Sequence, residues 1–149
     1  MNIQSDLHSN IPLSLAMGVQ VKVATPVHVL LAAPLAPNIN HHRTAFGGSG
    51  VVLATLAAWT LLHLRMEHER LEAQLVNQRS SMEYERPING DFEAECRFAD
   101  ETAWRRFRAT LERHGRARMT LSAYLLYAAH EMGSFVGDFV ALAQPRRRP

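Results

Sequence analysis

The sequence has a single cysteine, Cys96, among its 149 residues. One cysteine cannot form an internal disulfide or a cysteine zinc cluster, so we expect a chain that works in a reducing cytoplasm. The net charge is also small: 16 Lys and Arg residues and 14 Asp and Glu residues give a formal net charge of +2. That excess is too small to indicate a nucleic-acid partner. The first ten residues lack the basic and apolar blocks of a signal peptide.

Metal-ligand patterns are missing as well. His63 and His68 are five residues apart, about 140° around a helix, and no cysteine or acidic group joins them. We therefore expect neither a metal site nor a bound cofactor. A hydrophobic fraction of 47% and a charged fraction of 20% are typical of an ordered globular domain.

One stretch, residues 37–64, stands out from the rest of the chain. It begins as a polar turn rich in Asn and His, passes through Gly47, Gly48 and Gly50, and continues as an apolar run to Leu64. A helix that is apolar on all sides must be buried in protein or lie in a membrane. Residues 45–64 are long enough for a single membrane span, which remains the alternative. The glycines at the start and the charged residues that follow favour a buried helix.

The segments around this stretch alternate as strands do. We predict strands over residues 19–24, 27–35, 75–85, 92–98, 117–127 and 134–142, with the last two joined by a turn at 130–133. Helices are predicted near the N-terminus, capped by Asp6 or Ser9, and between Asp100 and Gly115. The central helix is expected to end near Leu71. This order predicts an α+β fold in which an antiparallel sheet wraps the apolar helix. We expect one domain over residues 1–149, with a core at about 10–143 and a basic tail at 144–149.

Two groups of residues resemble a known family. Asn40, Thr44, Gly47 and Gly48 resemble the residues that precede the central helix in hotdog-fold acyl-CoA thioesterases. The later string YERPINGDFEAEC, from Tyr84 onwards, is similar to the strand and turn that follow that helix. Together with APLAPNINHHRTAFGGS, it is closest to the YiiD C-terminal thioesterase-like branch.

The resemblance implies a hotdog fold and a homodimer, or a tetramer, with sheets joined edge to edge. It also implies acyl-CoA or another acyl thioester as substrate, with coenzyme A entering as part of that substrate. No membrane partner is expected. The thioester carbonyl would point at the amides that open the central helix, where N–H groups can stabilise an oxyanion.

The sequence departs from better-known branches at two positions. Phe46 stands where many members have His, and Thr55 stands where some have an acidic residue. The helix from residue 51 to 66 contains no acid at all. Two functions remain open: hydrolysis of a thioester by activated water, or acyl-CoA binding or sensing without hydrolysis.

Four residues are predicted to take part in catalysis. His41 is a candidate general base, since histidine titrates near neutral pH; the alternative is that it fixes the loop or is exposed. Asn40 could orient water or the thioester, although Asn is also common in turns. Gly48 and Ser49 would present backbone amides to the thioester oxygen.

Four further residues are predicted to bind the substrate. Asn38, Phe46 and Gly47 flank the expected position of the thioester. Arg86 could meet the phosphates of coenzyme A, because guanidinium groups match phosphate geometry. Arg43 and residues 146–148 are further candidates for that contact.

Overall fold

The computed structural model describes residues 2–144, so nearly all of the basic tail predicted at 144–149 lies outside the described residues. The chain order of the elements is as follows: α1 (Ile3–Asn10), α2 (Pro12–Ala16), β1 (Gln20–Ala24), β2 (His28–Ala33), a 3-10 turn (Ala36–Asn38), α3 (Gly47–His68), β3 (Ala73–Tyr84), β4 (Phe92–Arg97), α4 (Glu101–His114), β5 (Arg116–Tyr127) and β6 (His130–Ala143).

The six strands form one sheet in the order β1-β2-β4-β5-β6-β3, and every neighbouring pair is antiparallel. The hairpin between β5 and β6 turns at Ala128 and Ala129, where both residues have positive φ angles, 50° and 65°. The predicted turn at residues 130–133 is therefore wrong. Two-residue hairpins usually place Asn or Gly at such positions, and an Ala-Ala pair carries no turn signal.

Helix α3 lies in the curve of the sheet and forms the centre of the core. Leu53, Ala54, Ala57 and Leu61 are completely buried. The alanines let the helix backbone come close to the strands, while each buried leucine contributes roughly 1.5–3 kcal/mol. By length and hydropathy α3 could cross a membrane, but half of its most apolar window is buried within the protein. It is the core helix, and the membrane alternative is not supported. The fold is the hotdog arrangement that the resemblance implied.

The N-terminal region differs from the prediction. Neither Asp6 nor Ser9 caps the first helix; the Asn2 side chain does so by accepting a hydrogen bond from the Ser5 amide, at 3.1 Å. The predicted single helix is divided at Ile11, because Pro12 begins a separate short helix, α2. Helix α3 also ends at His68, before the predicted Leu71.

Helix α4 agrees with the sequence. The Asp100 carboxylate accepts hydrogen bonds from the amides of Thr102 and Ala103, and Gly115 ends the helix with a φ of 71°. Trp104 and Phe107 are buried, as expected for its apolar face. This packing holds α4 against β5 and β6.

Candidate active site

A cavity of about 310 Å³ opens beside the first turn of α3. It lies between the helix start, the loop that precedes it, and the segment that follows β3. Its lining residues are Thr44, Ala45, Phe46, Gly47, Gly50, Tyr84, Glu85, Arg86, Pro87, Ile88 and Leu125. Most of the wall is apolar, and the polar groups come mainly from residues 84–86.

The first amides of α3 are left without acceptors. Phe46 is the N-cap residue and offers no capping side chain, and the first helical hydrogen bond runs from the Gly50 amide to the Phe46 carbonyl, at 3.1 Å. Within residues 2–144, the amides of Gly47, Gly48 and Ser49 donate to no backbone or side-chain acceptor. Such amides carry the positive end of the helix dipole and attract a negatively charged oxygen.

Close packing explains two of the glycines here. A Cβ on Gly50 would lie 2.9 Å from Cδ1 of Leu125, which forms the floor of the cavity. A Cβ on Gly48 would collide with the ring of Phe46. The glycines therefore let the helix start approach strand β5 on one side and let the Phe46 ring lie over the first turn on the other.

Tyr84, the last residue of β3, fixes the helix start. Its hydroxyl donates a hydrogen bond to the Gly47 carbonyl. Burial raises the pKa of the Tyr84 phenol above its ordinary value, so the hydroxyl keeps its proton at neutral pH. The tyrosine thus links the end of β3 to the first turn of α3 and forms one wall of the cavity.

The loop before α3 is held by Asn40. Its Oδ1 accepts hydrogen bonds from the amides of His42 and Thr44, at 2.9 and 3.2 Å, and its Nδ2 donates to Thr44 Oγ1, at 2.9 Å. Asn40 therefore closes a tight turn that also contains Arg43, whose φ is 63°. The His41 side chain is exposed at the tip of this turn, with its ring 4.2 Å from the ring of His42.

Asn38 is buried below the same loop, with 2% of its surface exposed. Its Nδ2 donates to the carbonyls of Met17 and Pro34, at 2.8 and 2.7 Å, and its own backbone carbonyl accepts from the Phe46 amide, at 2.7 Å. Asn38 therefore sets the position of Phe46 and, through it, the entry into α3.

The structure brings some of the predicted site residues to the cavity and leaves others away from it. Phe46, Gly47 and Arg86 line the cavity. The predicted residues that do not line it are His41, Asn40, Asn38, Gly48 and Ser49. Gly48 and Ser49 nevertheless belong to the first turn, and their free amides follow directly after the amide of the lining residue Gly47.

Sequence reasoning did not identify all of the lining residues as site residues. Ala45, Ile88 and Leu125 were missed, and Tyr84 entered only through the family resemblance. For Glu85 the sequence predicts a solvated strand face, with reach across a dimer as the alternative. Leu125 gives no signal of its own, since it is one of several inward-facing residues on a regularly alternating strand. Glu85 directly follows the last residue of β3, where an exposed acid looks like ordinary solvated surface.

No metal centre is found in the part of the chain that the structure describes, since no three His, Cys, Asp or Glu side chains come together there. A larger cavity, of about 360 Å³, lies between the end of β4, the middle of β5 and the start of α4. It contains no residue of the α3 start and is separate from the candidate site.

Solved structures of similar fold include two that are more than a quarter identical to this chain. A protein of unknown function from Chlorobaculum tepidum TLS is 29% identical, with a TM-score of 0.91, over 95% of this chain and 93% of its own. A protein from Shewanella oneidensis described as a "putative thioesterase" is 27% identical, with a TM-score of 0.83, over 94% of both chains. A mutant of the phenylacetic acid degradation protein PaaI from Thermus thermophilus is similar in fold, with 21% identity and a TM-score of 0.63 over 88% of this chain and 98% of its own.

The family comparison agrees with the structural one. A family model described as "Putative thioesterase (yiiD_Cterm)" matches residues 1–143. That match spans nearly the whole chain and includes the loop, the helix start and the strand end that form the cavity. The chain belongs to this family of hotdog-fold proteins.

Proposed function

We propose that the protein hydrolyses acyl-CoA thioesters at the cavity beside the α3 start. The observation that carries the proposal is the set of three free amides in the first turn of α3, on Gly47, Gly48 and Ser49, of which Gly47 lines an apolar cavity. Thioester hydrolysis passes through a tetrahedral intermediate whose oxygen is negatively charged. Backbone N–H groups that are already fixed in place stabilise that charge without reorganisation.

In the proposed reaction the acyl group occupies the apolar part of the cavity and its carbonyl oxygen faces the first turn of α3. Water attacks the carbonyl carbon and gives up a proton to a general base. The carbon–sulfur bond then breaks, and the thiolate of coenzyme A leaves and takes up a proton. The products are a carboxylate and free coenzyme A.

Two side chains are candidates for the base. Glu85 is the acidic residue among those that line the cavity. His41 lies on the exposed turn outside the lining, and it would need to act at the mouth of the cavity. Of the two, Glu85 is better placed to accept a proton from water inside the cavity.

Arg86 lies at the same cavity and is exposed to solvent. We propose that it pairs with a phosphate of coenzyme A while the acyl group lies further in. A guanidinium can bind phosphate with two parallel hydrogen bonds. Arg43, exposed on the turn before α3, is a second candidate for such a contact. Residues 146–148 lie outside the described residues.

We further propose that the protein works as a cytoplasmic homodimer. Strand β3 is 12 residues long and lies at an edge of the sheet, paired to β6 on one side. A long edge strand is a template for pairing with a second copy. Antiparallel pairing of two β3 strands would join the two sheets and bring the partner close to Tyr84 at the cavity. The buried free thiol of Cys96 suits a reducing compartment.

A second candidate function is acyl-CoA binding without hydrolysis. It is favoured by the absence of any acidic residue in α3 before Glu67, so that no carboxylate on the helix faces the bound thioester. In that case the free amides would hold the carbonyl of an intact ligand.

The proposal is tested by measuring thioester hydrolysis across a series of acyl-CoA substrates. We expect turnover by the native chain, and a loss of about 10²–10⁴-fold in kcat in the variant that lacks the general base. Glu85→Gln and His41→Ala are compared with the neighbouring variants Glu83→Gln and His42→Ala as controls. Binding at every chain length without turnover would replace hydrolysis with the second candidate. Unchanged turnover in both Glu85→Gln and His41→Ala would show that neither residue is the base.

A further inference from the structure

The most buried side chain in the cavity wall is that of Leu125. Leu125 lines the cavity and is itself 1% exposed, with its Cδ1 atom against the helix backbone at Gly50. A Cβ at Gly50 would lie 2.9 Å from that atom, so no space remains between the two residues. Tyr84 closes a second side, with its Cε1 atom 3.4 Å from the same Cβ position.

The core beyond Leu125 offers no continuation of the cavity. On the next turns of α3, Leu53, Ala54 and Ala57 have no exposed surface, and none of them lines the cavity. An acyl chain that enters along the helix therefore meets a packed core directly below Leu125. Protein interiors of this density do not admit extra methylene groups without displacing side chains.

The volume sets the length of chain that fits. A cavity of about 310 Å³ is at the small end of the range for ligand pockets, about 300–1,000 Å³. A cavity of that size beside a packed core has room for the thioester and a short acyl chain.

From these observations we infer that the site selects short acyl chains over long ones, and that Leu125 sets this limit. The inference rests on the proposed function, because it assumes that the cavity receives an acyl thioester. It makes Leu125 a specificity-determining residue: its side chain contacts the far end of the acyl chain and takes no part in the chemical step.

The test measures binding separately from hydrolysis. S-alkyl thioethers of coenzyme A, with chains of two to twelve carbons, cannot be hydrolysed, and their affinities are measured by titration calorimetry. For the native chain we expect affinity to rise about fourfold per methylene over the short chains and then to fall. In Leu125→Ala, which removes three carbons from the floor, we expect the maximum to move to chains about two or three carbons longer.

Leu121→Ala is the matched control, because Leu121 is buried on the same face of β5 but does not line this cavity. It should lower stability in the same way and leave the preferred chain length unchanged. If Leu125→Ala fails to fold, Leu125→Val removes one carbon and should move the maximum by about one carbon.

Three outcomes would overturn the inference: a native preference for chains of ten or more carbons, an unchanged preference in both Leu125 variants, or no binding of any thioether. The last outcome would also remove the proposed function. The expected binding profile without turnover of any thioester would overturn hydrolysis alone and leave the chain-length inference intact.

Discussion

At the scale of single residues, Tyr84 joins two parts of the site that are far apart in sequence. Its hydroxyl donates to the Gly47 carbonyl in the first turn of α3, and its ring is part of the cavity wall. Removing the hydroxyl should loosen the first turn of α3, while the ring continues to line the cavity. Tyr84 is therefore a positioning residue, which acts through the amides of α3.

Tyr84→Phe should lower the free energy of unfolding by about 1 kcal/mol and reduce kcat by roughly fivefold, because one hydrogen bond that orients the amides is lost. Urea unfolding and steady-state kinetics measure the two effects. Tyr124→Phe is the control, since that side chain is also partly exposed and no side-chain hydrogen bond of its hydroxyl is found among residues 2–144. Equal losses in the two variants would assign Tyr84 a general structural role.

Cys96 is a second residue whose environment decides its behaviour. Burial, and then the charge of Glu95, raises the pKa of its thiol to about 12. The thiolate is the reactive form, so the native protein at neutral pH should react with a thiol reagent only as fast as it unfolds. Labelling followed by absorbance, with urea-unfolded protein as reference, checks this. Rapid labelling of the native protein would contradict the buried placement.

Residues with local roles can be predicted from the sequence, and residues with long-range roles cannot. The family strings identify the helix start, and Asp100 and Gly115 mark the ends of α4 correctly, because caps are local signals. His41 is a candidate by residue type and loop position, but its exposed position on the turn depends on how Asn40 closes that turn. Leu125 has no local signal, since its contact with Gly50 joins residues that are far apart in the chain.

At the scale of elements, α3 and α4 are joined by a cluster of charged side chains. Glu69 accepts hydrogen bonds from Arg65, at 2.7 Å, and from Arg108, at 2.5 Å. Arg65 also pairs with Glu101 and lies 4.9 Å from the ring of Trp104. The cluster fixes the C-terminal end of α3 against α4, at the opposite end of the helix from the cavity.

The pH dependence of this cluster follows from Glu69. Burial alone raises the pKa of Glu69, but the hydrogen bonds from Arg65 and Arg108 outweigh burial and leave it below its usual value in the folded chain. A lowered pKa contributes stability above the unfolded pKa, near about 4.3, and this contribution is lost as the pH falls through the folded pKa.

Glu69→Gln should therefore reduce the free energy of unfolding by about 1–2 kcal/mol at pH 7, and the difference from the native chain should shrink below about pH 4. Urea unfolding at several pH values measures it. Glu67→Gln, which changes a more exposed glutamate on the same helix, is the control and should have a smaller effect. A difference that stays constant down to acid pH would show that charge pairing at Glu69 is not responsible.

At the scale of the whole molecule, the free edge of β3 decides whether two copies can join. The Glu85 amide donates to the Met132 carbonyl. Going back along β3 from Glu85, every second residue therefore directs its N–H toward β6, and the residues between them direct theirs away from β6. Ser80 lies an odd number of residues before Glu85, and its N–H therefore points to the free edge. A change at this amide leaves the ladder between β3 and β6 intact.

Ser80→Pro should convert the proposed dimer to a monomer, because proline removes an edge N–H and obstructs pairing with a second strand. Light scattering coupled to size exclusion measures the mass, and thermal unfolding confirms that the variant is folded. Ser80→Ala keeps the N–H and should remain dimeric. A dimer that persists in a folded Ser80→Pro variant would place the interface elsewhere.

The free amides at the start of α3 carry the proposed chemistry, and their role is measured most directly by a crystal structure with a ketone analogue of a short acyl-CoA, in which a methylene replaces the sulfur. We predict that the ketone oxygen lies about 2.7–3.2 Å from the backbone nitrogen of Gly47, Gly48 or Ser49, with the alkyl chain ending at Leu125. An analogue bound with its oxygen away from these amides, or bound in a different cavity, would contradict an oxyanion site at the start of α3.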